Sequence, residues 1–106
     1  MIRARFIEKN GGLVGFEISG HAFFADKGED IVCASVSSAA YMTANGITEV
    51  LGVKAEASDD EKGMMKLSLL EIDDAAVKMI CSLAFHLEHL AKDYPKNLKV
   101  FFDTEV

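Results

Sequence analysis

Apolar and polar positions alternate at both ends of the chain, and between them apolar residues recur every three or four positions in two longer stretches. Alternation predicts strands and the wider interval predicts helices. Residues 2 to 8 read as a strand, and Asn10-Gly11-Gly12 supplies the positive backbone angles of a tight hairpin. The next strand runs from about Leu13 to Ser19, with Val14, Phe16 and Ile18 expected on one face and Glu17 and Ser19 on the other. After an irregular loop at 21 to 29, Asp30 is the expected N-cap of a helix carrying Val32, Val36, Ala39, Ala40, Thr43, Ile47, Val50 and Leu51 at helical spacing. Gly52 is its expected stop, with Asn45-Gly46 as an earlier break. Residues 53 to 58 and 64 to 71 form a second hairpin across Asp59-Asp60-Glu61-Lys62-Gly63. Asp73 and Asp74 then open a second helix, where negative charge suits the positive end of the dipole. Ala76, Ile80, Leu83, Leu87 and Leu90 make its stripe, Pro95 closes it, and Leu98 to Glu105 forms a last strand with Leu98, Val100 and Phe102 on one face.

The order ββαββαβ predicts an α+β fold: a two-layer sandwich of a roughly five-stranded mixed sheet with both helices on one side. Residues 1 to 106 are expected to form one domain, a length that supports a single modest core.

Charge narrows the partners. Seventeen acidic residues against eleven basic ones give a formal charge of −6, and the arginines are Arg3 and Arg5 alone. Direct nucleic-acid binding needs a clustered basic surface, so a basic peptide or protein is the better match. The sequence shows neither a signal-peptide pattern nor an apolar run of roughly 18 residues. A cytoplasmic protein with no membrane partner is therefore expected, its Cys33 and Cys81 remaining thiols.

The chemistry-bearing stretch is Gly20-His21-Ala22 followed by Gly28-Glu29-Asp30-Ile31-Val32-Cys33-Ala34-Ser35-Val36-Ser37. It puts an imidazole at a strand end and a thiol in what should be the first turn of a helix. Unpaired backbone N–H groups there favour a thiolate, the form that attacks carbonyls. His21 lies twelve positions before Cys33, a span that folds back easily, so the ring is able to take the thiol proton and return it to a leaving amine. Asp30 either caps the helix or orients His21, and capping is the favoured reading. Ser37 sits one turn after Cys33, either orienting the thiol or a substrate carbonyl or simply bonding a backbone carbonyl. The plain reading of Cys33 alone is a small buried hydrophobe.

These two elements, Gly-His-Ala and Asp-Ile-Val-Cys-Ala in this order and spacing, resemble the ribosomal-processing cysteine protease family, and the resemblance covers nearly the whole chain. It implies a His21/Cys33 dyad with Asp30 and Ser37 at accompanying positions, and a flexible or substrate-binding loop that includes Ala22, Phe23, Phe24 and Gly28. Ser35 departs from the more usual Ala. The resemblance further implies a homodimer that removes a short N-terminal extension from large-subunit ribosomal protein twenty-seven, cutting after a Phe-Phe pair and before a small residue. Phe23-Phe24-Ala25 matches that type of sequence, which makes the loop a candidate lid, against the plainer reading of two rings pinning the loop down.

Other chemistries fit less well. Cys81, between Ile80 and Leu83, is expected to pack in the second helix. His86 and His89 make at most half a metal site, so no metal and no cofactor are expected. No Arg follows Cys33 as a thiol phosphatase requires, the second cysteine is 48 positions away, and glycine-rich nucleotide loops are absent. A non-catalytic ribosome-associated or peptide-binding module is the alternative from another class, and a redox-sensing thiol is a third.

Overall fold

The computed structural model describes residues 1–20, 27–60 and 63–105, with 27–30 given by their backbone. Strand β1 (Ile2–Lys9) pairs antiparallel with β2 (Gly12–Ser19) across a turn in which Asn10 and Gly11 take φ of 54° and 83°. Helix α1 (Lys27–Asn45) leads to β3 (Ala55–Asp59) and β4 (Met65–Leu69), and α2 (Asp74–Asp93) leads to β5 (Leu98–Thr104). The sheet order is β3-β4-β2-β1-β5, antiparallel throughout except where β5 runs parallel beside β1. This is the expected five-stranded mixed sheet with two helices in the order ββαββαβ.

One core joins the layers. Ile2, Ala4, Phe6, Phe16, Ile18, Leu67 and Leu98 of the sheet meet Val32, Val36 and Ala40 of α1 and Ala76, Ile80, Leu83, Ala84 and Leu87 of α2. Helix α2 starts on an Asp73 cap, whose carboxylate accepts from the Ala76 N–H at 3.0 Å. It ends at Asp93, just before Pro95, as the sequence indicated. Leu90 is half-buried at the margin of the core.

Three local expectations are corrected. Val14 does not share a face with Phe16 and Ile18: the pairing steps from Ile7↔Gly15 to Glu8↔Leu13, so Val14 is the extra residue of a bulge. Leu13 turns into the core in its place, and Val14 joins the far face with Glu17. Gly15 is what permits the tight strand contact there, since a Cβ on it would stand 2.7 Å from the Leu67 carbonyl oxygen.

The end of the first helix also differs. Asn45-Gly46 neither breaks α1 nor lets it continue unchanged; residues Gly46–Val50 form a π-helical segment, closed by a Leu51 N–H to Gly46 C=O bond of 2.8 Å. The wider turn rotates later residues off the core phase. Ile47 stays buried whereas Val50 and Leu51, expected on the stripe, are exposed, and Gly52 ends the helix at φ 66°.

At its start, α1 includes Asp30 as its fourth residue, so Asp30 is not the N-cap. Acidic residues suit a first turn as well as a cap, because both positions face the positive end of the dipole, and Glu29-Asp30 satisfies either placement.

Gly15→Ala is expected to lower the unfolding free energy by about 1–3 kcal/mol, since the added methyl meets backbone on a partner strand. Exposed Ser38→Ala should change it by less than about 0.5 kcal/mol. Urea denaturation followed by circular dichroism measures both.

Candidate active site

Helix phase decides where Cys33 stands. Val32, Val36 and Ala40 form the stripe sunk in the core. Cys33 follows Val32 by one residue, a rotation of about 100°. Its side chain is consequently half-buried, packed against the core yet not sealed within it. Ser37 follows one turn later on the same flank, also half-buried. Cys33 and Ser37 line a pocket of about 10 Å³ with Ile2, Ile18, Ser19 and Val36. That space is on the scale of one water molecule.

The pocket sits where β2 ends. Ser19 is the last residue of the strand and Gly20 follows at φ 102°, a left-handed conformation in which a Cβ would also overlap the Met1 carbonyl oxygen. His21 is the next residue in sequence. His21, Ala22, Phe23 and Phe24 lie outside the described residues, and Gly28 lies in α1. The fold thus delivers the chain immediately before His21 to the pocket that holds the Cys33 side chain.

Ser19 went unnoticed in the sequence. Strand parity alone made it an outward polar residue, and only the crossing of α1 over the end of β2 makes it a neighbour of the thiol. Ile2 and Ile18 line the same pocket, so the wall opposite the thiol is chiefly apolar.

The early start of α1 changes the electrostatics. Cys33 is the seventh helical residue, about 9 Å along the axis from Lys27. Unpaired amides belong to the first four positions, and the dipole effect fades beyond the first turn. The Cys33 N–H is therefore part of the helical ladder and not an open donor beside the sulfur.

The remaining candidates separate cleanly. Neither cysteine is in a disulfide. Cys81 is exposed, correcting its expected packing role: it lies one residue past buried Ile80, on the outer side of α2. His86 and His89 are exposed on the same helix, His89 against the Phe85 ring at 4.6 Å between centroids. Among the described residues no group of three or more His, Cys, Asp or Glu is placed to hold a metal. No helix among them is long and apolar enough to cross a membrane.

Charged residues gather on the sheet face away from the helices. Arg5 bonds Glu17 at 3.0 Å and also Asp103, while Lys66 reaches Glu17 at 3.5 Å. A broad concavity of about 630 Å³ lies there, containing none of the predicted site residues. On the helix side, Tyr41 donates a hydrogen bond to the Asp59 carboxylate of β3. That bond, with burial and the adjacent negative charge, pushes the Tyr41 phenol above its ordinary pKa.

Comparison with known proteins follows this geometry. Residues 1–99 match the family model for cysteine protease Prp. A ribosomal processing cysteine protease Prp of Mycoplasma pneumoniae is 36% identical over 81 residues, which is 74% of this chain and 76% of that protein. The Prp of Bacillus subtilis is 28% identical over 95 residues, 84% of this chain and 85% of its own. Among solved structures, a Streptococcus mutans protein superposes with a TM-score of 0.88 at 28% identity over 99% of this chain and 96% of that one. An essential ribosomal processing protease Prp from S. aureus, crystallised with a substrate peptide, gives 0.89 over 97% of this chain and 100% of its own; at 20% identity it speaks for the fold. Fold, motif order and sequence matches agree, and the chain belongs to the ribosomal processing cysteine protease Prp family.

Proposed function

We propose that the protein is a cytoplasmic cysteine endopeptidase that removes the N-terminal extension of a basic ribosomal protein precursor, large-subunit protein twenty-seven, and thereby supports ribosome assembly. The observation that carries this reading is the shared pocket: Ser19, two residues before His21, and Cys33 line one space. With the chain brought that close at Ser19, the reading asks that the His21 ring come within hydrogen-bond range of the sulfur, as proton transfer demands.

In the proposed reaction His21 takes the proton from the Cys33 thiol as the sulfur attacks the scissile carbonyl carbon. A carbon–sulfur bond forms, the carbonyl π electrons move to oxygen, and collapse of that intermediate breaks the carbon–nitrogen bond. His21 gives its proton to the departing amine. Water then attacks the thioester, with His21 accepting its proton, and returns the free thiol and a new carboxyl terminus. Asp30 no longer has the capping role, so its proposed part is to orient the His21 ring. Ser37, beside Cys33 on the same flank of α1, is proposed to hold the thiol or the reacting carbonyl in place.

Ala22, Phe23 and Phe24, together with Gly28 in the first turn of α1, are proposed to meet substrate, and a homodimer is proposed as the working form. The charge of −6 favours encounter with a basic precursor.

Two measurements test the reading. Incubated with the ribosomal-protein precursor, the protein is expected to release a short N-terminal peptide seen by mass spectrometry, and both Cys33→Ala and His21→Ala should abolish it; cleavage persisting in Cys33→Ala overturns the assignment. In iodoacetamide alkylation near neutral pH, half-buried Cys33 is expected to react faster than exposed Cys81, with His21→Ala slowing Cys33 by about tenfold or more while leaving Cys81 unchanged. Equal rates at the two thiols would remove the proposed activation.

A further inference from the structure

A second pocket continues the line of the first. It lies between α1 and the β3–β4 hairpin, with a volume of about 160 Å³, and its lining includes Tyr41, Ala44, Ala57, Asp59, Met65 and Lys66. Ala44, Ala57 and Met65 supply its apolar surface, and Tyr41 and Asp59 join across one side through their hydrogen bond.

Two registers tie this pocket to Cys33. Along α1, Ser37 lines the first pocket and Tyr41, one turn later, lines the second, so 33, 37, 41 and 44 share one flank of the helix. Across the sheet, Ile18 of the first pocket is paired with Met65 of the second, which in turn is paired with Asp59. Each step is a neighbour contact of about 5–6 Å. The two spaces therefore lie in line, one helical turn apart along α1 and one strand pairing apart across the sheet.

We infer that this second pocket is a subsite in line with the first, which takes a single aliphatic side chain of an extended basic peptide about four residues from the bond that Cys33 attacks. The inference rests on the peptidase reading above and extends it to a determinant of specificity.

The spacing follows from two rises. Eight helical residues from Cys33 to Tyr41 cover about 12 Å, and an extended peptide advances about 3.3 Å per residue. The size follows from the volume, which is well below the roughly 300–1,000 Å³ of small-molecule sites, so one side chain fits and a metabolite does not. Charge sets the kind of peptide. At the mouth the Asp59 carboxylate accepts from Tyr41 and is followed in sequence by Asp60, while Lys66, also a lining residue, reaches Glu17 at 3.5 Å. A basic residue flanking the aliphatic one suits the overall charge of −6 and the Asp59-Asp60 pair beside the pocket.

The test separates binding from cleavage. Fluorescein-labelled peptides with Phe-Phe-Ala at the cut and flanking lysines carry Leu, Gly or Asp at each position three to five residues before or after the scissile bond. Their affinity is measured by anisotropy on Cys33→Ala protein, and their cleavage on the wild type. At one position about four residues out, Leu→Gly is expected to weaken binding by about ten- to a hundredfold, with Asp weaker still. In an Ala57→Phe variant, which fills the pocket from an exposed strand position, that dependence should vanish. Thermal unfolding of the variant checks its fold, and the peptide series on unmodified pocket residues stands without it.

Binding that ignores every flanking position overturns the subsite, even if the wild type cleaves all the peptides. A positional preference that survives in folded Ala57→Phe places it elsewhere and also overturns the inference. Position-dependent binding to Cys33→Ala without any cleavage by the wild type leaves the subsite intact and instead defeats the peptidase reading.

Discussion

The contact on which the site depends is the seating of α1 across the end of β2, where Val36 meets Ile2 and Ile18 around the small pocket. Val32, Val36 and Ala40 are driven into the core by burial of apolar area, worth about 25 cal/mol per Å². That drive fixes the rotation of the helix about its axis. Once Val32 is inside, Cys33 must lie about 100° away, at the boundary between core and solvent. A nucleophile needs such a boundary: full burial would block the substrate, and full exposure would forfeit any fixed geometry toward a base. The placement of Cys33 at this boundary thus follows from the hydrophobic phase of the helix.

The same logic extends along the helix and across the sheet. Residues one position past the core stripe form a continuous flank, and β4 and β3 supply the facing wall through the Ile18–Met65–Asp59 row. On the opposite face the bulge at Val14 and the Arg5–Glu17–Asp103 cluster make a charged surface whose ion pairs satisfy one another. Exposed pairs of this kind contribute little to stability, on the order of 0–1 kcal/mol. They do occupy Arg5 and Lys66, cations that a nucleic acid would otherwise meet. The two faces of the sheet are therefore differently equipped.

Much of this was legible from the chain. Alternation over residues 2 to 6 of β1, the Asn10-Gly11 turn and the Ala76–Leu87 stripe each follow from one local rule, and each appears as expected. The failures share a cause. At Val14 one inserted residue reversed the parity beyond it, and at Gly46 a change from i→i+4 to i→i+5 bonding rotated Val50 and Leu51 outward. Periodicity arguments assume an unbroken register, and a single irregularity invalidates every residue after it. Cys81 failed more simply, because a residue next to Ile80 was read as sharing its side of the helix. In the site, Cys33 and Ser37 were visible through helical spacing, whereas Ser19, Tyr41 and Asp59 depend on contacts between distant segments that no local pattern records.

The start of α1 carries the last consequence. Had Asp30 capped the helix, Cys33 would have stood among unpaired amides, and the dipole alone would have lowered the cost of a thiolate. With Lys27 as the first helical residue that support lies about two turns away, where its effect on charge is spent. Ile2, Ile18 and Val36 line the same pocket as Cys33, and an apolar wall offers a thiolate no hydrogen bond. On the proposed reading an imidazolium supplies the missing support through an ion pair. The thiol is, on that reading, more dependent on an imidazole than the Asp-Ile-Val-Cys segment by itself suggests, and the Gly20 turn beside the pocket matters to that chemistry as much as the nucleophile does.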